Sequence, residues 1–192
     1  MAIEFKLEHS FKAELYWHDN AKGLKHRIGA SYDSSTPFKN NDGWLHAGKD
    51  TYTKYNRAVR VTEVIKMDFW FGCYVKSGQY FYDVRSISLT RRQPFFAARL
   101  ESSRNGYLGL YIPEFDRNEP PEDALWQLDG FDESGRVPGS GMHGVTLKNA
   151  KGGTVKRLYE NEFPYLNDRG SGEGGTLTIA VLQVGERYPF PD

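Results

Sequence analysis

Apolar and polar residues alternate one for one along the first stretch of this chain, and a period of two excludes a helical fold more firmly than any other feature. From Ile3 to Trp17 the odd positions read Ile3, Phe5, Leu7, His9, Phe11, Ala13, Leu15 and Trp17. The even positions read Glu4, Lys6, Glu8, Ser10, Lys12, Glu14 and Tyr16. Successive strand side chains point to opposite faces, so the pattern sets one face on a core and the other in water. A run of this length at ~3.3 Å per residue would span about 50 Å, longer than most strands. The reading therefore places a bend or bulge near His9-Ser10.

The same period returns from Val59 to Val75 and again after "VKSGQY", where Gly78 suits a positive φ and closes a hairpin. Tyr80, Tyr82 and Val84 come back on one face, and the later odd residues Ile87 and Leu89 predict a bulge near Arg85-Ser86. "RNGYLGLYI" carries an Asn105-Gly106 turn followed by Leu108, Leu110 and Ile112 on one face. "EPPEDALWQL" predicts a short helix after Pro121, with Glu122 and Asp123 in its first turn. "GTLTIAVLQV" reads as a central strand buried on both sides, and Trp44 as a buried residue in a turn-rich loop. No long 3.6-residue periodicity occurs. The expectation is an all-β chain: one β-sandwich or jelly-roll-like domain over residues 1–192, with about eight to ten strands, long Gly-rich loops and at most one short helix.

Composition narrows function by exclusion. Basic and acidic side chains balance at 25 each, which gives no surplus for a duplex nucleic acid. One cysteine, Cys73, rules out an internal disulfide, and its place in an aromatic run suits a buried inert thiol. No run approaches the ~18 apolar residues of a transmembrane segment. The first residues lack the apolar region of a Sec signal, so the expectation is a product cytoplasmic as synthesised, or released by another route. Charge is uneven: residues 1–112 carry 17 basic and 11 acidic side chains, residues 113–192 carry 8 and 14. Such asymmetry suits self-association.

The densest candidate site is "FWFGCYVKSGQYFYDV", residues 69–84, with seven aromatic rings in sixteen positions. Trp70, Tyr74, Tyr80 and Tyr82 are the rings expected on an exposed aromatic face. Each buried aromatic removes ~150–250 Å² from water, so such rings need a cover: a second sheet, a protein partner or a ligand. Sugar rings present apolar C–H faces that stack on aromatics, with Gln79, Asp83 and Arg85 as polar contacts at the rim.

Other constellations are weaker. In the acidic segment 113–135, Asp116, Glu119, Glu122 and Asp123 are candidate ligands for a hard cation such as Ca²⁺, without EF-hand spacing. The Gly-rich loops "GRVPGSGMHG" and "NDRGSGEGG" lack nucleotide-binding motifs and would present His143 and Arg169. The five histidines lack the close spacing of a zinc site. No nucleophile motif is present, and Glu101 with Asp83 is the first choice for a spatial carboxylate pair. Two short stretches, "GWLHAGKDT" and "GGTLTIAV", resemble segments of lipid-binding β-sandwich cytolysins of the aegerolysin type. They cover too little of the chain to assign it, and imply only a fold that acts at a surface.

These residues lead to a non-enzymatic binding module, lectin-like, whose partner is a carbohydrate or cell-surface ligand. Two alternatives stand beside it. One is a structural or assembly subunit of a virion or secretion apparatus. The other is a membrane-acting, toxin-like β protein.

Overall fold

The computed structural model describes residues 3–19, 23–32, 43–48, 51–56, 58–87, 95, 97–112, 119–160 and 163–188, with backbone alone at 32, 51–56 and 58–63. Among the described residues fifteen strands follow one another: β1 Glu4–Asp19, β2 Leu24–Arg27, β3 Gly29–Tyr32, β4 Leu45–His46, β5 Thr51–Asn56, β6 Ala58–Lys66, β7 Asp68–Lys76, β8 Gln79–Ile87, β9 Arg99–Ser102, β10 Leu108–Tyr111, β11 Trp126–Asp129, β12 Gly141–Asn149, β13 Lys156–Glu160, β14 Phe163–Asn167 and β15 Thr176–Val184. The one helical element among the described residues is a 3-10 turn at Glu122–Ala124, where the Pro-Glu-Asp sequence predicted a helix start. None of the described helical residues forms a span long and apolar enough to cross a membrane.

Two antiparallel sheets pack together, the sandwich expected from the alternation. There are more strands than the eight to ten foreseen, because several are short edge pieces such as the two-residue β4. The smaller sheet runs β13-β14-β4-β3-β6-β5. The larger runs β10-β9-β8-β11-β12-β15-β1-β2, with β7 bridging β1 and β8, so its hydrogen-bond path returns on itself. One buried cluster joins the sheets: Phe11, Phe71, Tyr82, Val145 and Ile179 from the larger with Ala30, Leu45 and Leu166 from the smaller.

The long first strand changes phase in its middle. Glu4 to Lys6 pair with Val75 to Cys73, whereas Phe11 to Ala13 pair with Phe71 to Phe69, and the register breaks between Lys6 and Phe11. Extra residues on one strand of a pair form a bulge, and an odd excess turns the face over. Phe5 therefore does not share the core face of Phe11, as strict alternation required. It lies on the outer face against Trp70 and Tyr74, with centroids at 6.4 and 5.3 Å. The kink expected near His9-Ser10 is this bulge.

The β7–β8 hairpin closes through Ser77 (φ 53°) and Gly78 (φ 78°). Two consecutive positive φ values define the type I′ turn that matches strand twist. Its register is unbroken from Asp68↔Ile87 to Lys76↔Gln79. The bulge expected near Arg85-Ser86 is absent. Ser86 continues the inward face because its hydroxyl donates to the Phe95 and Ala98 carbonyls, so a polar residue sits where alternation asked for an apolar one. Leu89 lies outside the described residues.

Other local expectations divide. Leu108 and Leu110 are buried, but Ile112 is 62% exposed because β10 has already ended. β15 is central, between β12 and β1, and buried through Leu177 to Ile179, yet Leu182 and Gln183 reach the surface. Trp44 is half-buried rather than buried, edge-on to Tyr107 and Tyr111. Cys73 is fully buried, and burial pushes its thiol up to about 12, as an inert thiol requires.

Candidate functional site

Cross-strand pairing decides where the hairpin rings go. Trp70 opposes Arg85, Gly72 opposes Asp83 and Tyr74 opposes Phe81 on the outer face. Cys73 opposes Tyr82 and Val75 opposes Tyr80 on the inner one. Trp70, Tyr74, Tyr80 and Tyr82 are thus split between two faces and do not make one platform. Trp70 is 5% exposed, Tyr74 9% and Tyr82 1%; Tyr80 is half-buried, its ring 5.2 Å from that of His9.

The chain itself supplies the outer cover. Tyr188 meets Trp70 edge-on at 5.5 Å and donates its hydroxyl to the Ser86 carbonyl at 2.7 Å. The Trp70 indole donates to the Glu186 carbonyl at 2.9 Å. On the inner side the Tyr82 hydroxyl donates to Glu133, which also pairs with Arg136. The polar residues expected at the rim divide as well. Gln79 is exposed beside the turn, while Asp83 and Arg85 are buried. Asp83 accepts from Arg85 Nε at 2.7 Å and from Arg99 Nε at 2.8 Å, a paired arrangement that offsets the cost of burying charge. Arg99 then reaches toward Glu101, with Nη1 4.0 Å from its carboxylate.

Glu101 stands at the wall of a cleft. One edge of β8 pairs with β9 at Arg85↔Arg99 and with β11 at Tyr82↔Trp126, so the sheet forks there. The cleft lies at the fork, with a volume of about 320 Å³, walled by Glu101 and Ser102 of β9, Asp123 of the 3-10 turn, Asn149, Lys151 and Asp168. Trp126 forms part of its lining, buried and held by an indole donation to the Leu100 carbonyl at 3.0 Å. Arg169 stands at the rim, half-exposed and donating to the Arg104 carbonyl at 3.1 Å.

Asp168 organises one side. Its carboxylate accepts from Ser102 Oγ and from Asn149 Nδ2, each at 2.8 Å, and its side chain has no exposure. Asn149 in turn accepts from the Lys151 and Gly153 amides at 2.9 and 2.8 Å, which curls the loop and sets Lys151 on the cleft. Burial raises the carboxyl of Glu101 above its ordinary range; Arg99 opposes that shift, and Asp83 and Asp123 reinforce it. The cleft thus offers acceptors from the Glu101 and Asp123 carboxylates, donors from Lys151 and Arg169, and little apolar wall, with the Ser102–Asp168–Asn149 network as its fixed backing. That chemistry suits a neutral ligand bearing many hydroxyls better than a phosphate, which the carboxylates repel, or a lipid chain.

The remaining candidates are scattered. Glu119 and Glu122 are exposed, Glu122 pairs with Lys76 at 2.5 Å, Asp123 faces the cleft, and Asp116 lies outside the described residues. Among the described residues no three His, Cys, Asp or Glu side chains come together as a metal site would need. Sequence reasoning named Glu101, Asp123 and Arg169 separately, but missed Ser102, Asn149, Lys151 and Asp168. The Ser102–Asp168 contact spans 66 residues and the Asn149–Asp168 contact 19, so no local spacing could signal either. Comparison with protein-family models, curated proteins and solved structures finds no match to this chain.

Proposed function

We propose that this chain is a non-enzymatic binding module and that its ligand is a carbohydrate, taken in the cleft between β9, β11 and the loop after β12. The observation that carries this reading is the mixed hydrogen-bonding lining around Asp168. Sugar hydroxyls both donate and accept, so they can satisfy the Glu101 and Asp123 carboxylates and the Lys151 ammonium together. Ser102 and Asn149 fix Asp168 in advance, which lowers the ordering cost of binding. Trp126 gives the cleft a rigid base. The hairpin rings serve as support, since Phe5 and Tyr188 on the outside and His9, Phe11 and Phe131 on the inside occupy their faces.

A glycan array followed by calorimetric titration of the best hits tests the proposal. Saturable binding that weakens at least tenfold in Asp123→Asn and Lys151→Ala supports it. Binding that is absent, or indifferent to both changes, overturns it. Release of reducing sugar from a bound oligosaccharide overturns the non-enzymatic part alone.

One observation favours a second reading, a structural or assembly subunit. Exposed apolar side chains gather at sheet ends: Leu24 on β2, Tyr111 and Ile112 at the end of β10, and Tyr159 on β13. Open sheet ends with apolar groups are sites of strand-to-strand association. Light scattering across a wide concentration range decides it; a monomer throughout removes this reading.

A further inference from the structure

Two histidines from different parts of the chain aim at one atom. His18 lies near the end of β1, and its Nε2 is 2.7 Å from Thr178 Oγ1 of β15. His143 lies on β12, and its Nδ1 is 3.0 Å from the same oxygen. The two ring centroids are 6.3 Å apart and the planes stand at 82°. β15 pairs with β1 on one side and β12 on the other, so the three side chains form a row across adjacent strands. The Gly141↔Ala180 and Met142↔Ile179 register runs on to set His143 opposite Thr178, and the extra residue of β12 before Val145↔Leu177 falls beside Gly144 with φ 74°.

We propose that His18 and His143 form a two-histidine site for a borderline divalent transition metal, with Cu²⁺ the tightest and Zn²⁺ or Ni²⁺ weaker. Imidazole nitrogens prefer these ions, and affinity for such donors rises toward Cu²⁺. An imidazole ligand binds through its in-plane lone pair at ~2.0–2.1 Å, and both rings turn a nitrogen toward Thr178 Oγ1, so an ion held by the two nitrogens would lie beside that oxygen. Through the shared oxygen the two nitrogens stand no farther apart than the two hydrogen bonds allow. Ligation asks them to close by roughly the difference between hydrogen-bond and metal–nitrogen lengths. His143 is exposed and flanked by Gly144, so it can make that movement.

The hydroxyl explains why the metal-free row holds together. Thr178 Oγ1 has one proton, so it can donate to one ring while the other donates to it. Metal binding requires both facing nitrogens to be bare. Each ring can carry its proton on the opposite nitrogen, because neither His18 Nδ1 nor His143 Nε2 is held by a hydrogen bond among the described residues. Among the described residues no third His, Cys, Asp or Glu completes the set there, so water and the Thr178 hydroxyl would fill the remaining positions. An incompletely ligated ion of this kind is open to exchange or to a further ligand.

The test uses the full chain without an affinity tag. Cu²⁺ is titrated with electron paramagnetic resonance as readout, and Zn²⁺ by calorimetry. The expected result is one saturable ion per chain with a hyperfine pattern from two nitrogens. His18→Gln and His143→Gln should each weaken binding at least tenfold, whereas His26→Gln should leave it unchanged. Thr178→Val keeps both rings and removes the hydroxyl, so metal binding should persist. Affinity indifferent to either histidine change, or no saturable binding below millimolar metal, overturns the proposal. Circular dichroism of each variant separates loss of the site from loss of fold.

Discussion

Ser10 Oγ accepts the backbone amide of Cys73 at 3.0 Å and donates to the Lys6 carbonyl at 3.0 Å. The relationship repairs the bulge in β1. Where the register with β7 breaks, the Cys73 amide has no strand carbonyl opposite, and a fully buried side-chain hydroxyl takes that place. Ser10→Ala removes the acceptor and leaves a buried N–H without a partner. That costs about 1–3 kcal/mol. Urea unfolding should show a lower midpoint with an unchanged slope, since the surface exposed on unfolding is the same. An unaltered midpoint would show that the bulge does not depend on Ser10.

Gly72 has no side chain because Trp70 uses the space. A Cβ there would lie 2.1 Å from the indole ring. Gly72→Ala must therefore push Trp70 away from Tyr188 and from the Glu186 carbonyl. Overpacking of this kind costs roughly 1–3 kcal/mol. Faster amide exchange in residues 185–188, together with a lower unfolding midpoint, is the expected outcome. Smaller rings at position 70 should recover part of the loss in the double variant.

Arg157 links both ends of the molecule's buried charge. It is nearly inaccessible, 2.6 Å from Asp19 at the end of β1 and 2.6 Å from the more exposed Glu173. Arg157→Met leaves the buried Asp19 carboxylate without its guanidinium, and removing one partner of such a pair costs about 3–5 kcal/mol. The double change Asp19→Leu with Arg157→Met should be less damaging than Arg157→Met alone. Denaturant titration of the three variants distinguishes a charge effect from a packing effect, which would add instead.

His46 gives the stability curve an acid limb. It is fully buried against Phe163 and Tyr165, and burial, helped by the Lys66 charge, holds its imidazole down to about 4. An unfolded histidine titrates near 6.5, so between those values the unfolded chain binds the extra proton. Stability is then complete above about 6.5 and falls as pH drops toward 4, by up to about 3 kcal/mol. Thermal melts of wild type and His46→Phe across this range should diverge, with the variant the flatter of the two. Parallel curves would refute the assignment.

Period two made the sheet fold legible before any coordinates, because alternation is a local property of the chain. The turn at Gly78 and the short helix after Pro121 were equally visible, since each rests on one residue's backbone preference. Face assignment failed where it relied on counting. One bulge carried Phe5 to the opposite side, and the unbroken β8 kept Ser86 inward through bonds to distant carbonyls. Of the cleft, Glu101, Asp123 and Arg169 could be named, but not their common place.

What the sequence determined by itself is the kind of surface each segment must bury, since that follows from hydropathy repeating at the strand period. Only the tertiary structure decided which segments meet. The C-terminal stretch covers the outer hairpin face through Tyr188, the fork between β9 and β11 opens the cleft, and His18 comes to face His143 across β15. Those outcomes depend on register and on contacts between residues far apart in the chain. A single-residue slip in either sheet would leave every local preference satisfied and every one of these meetings undone.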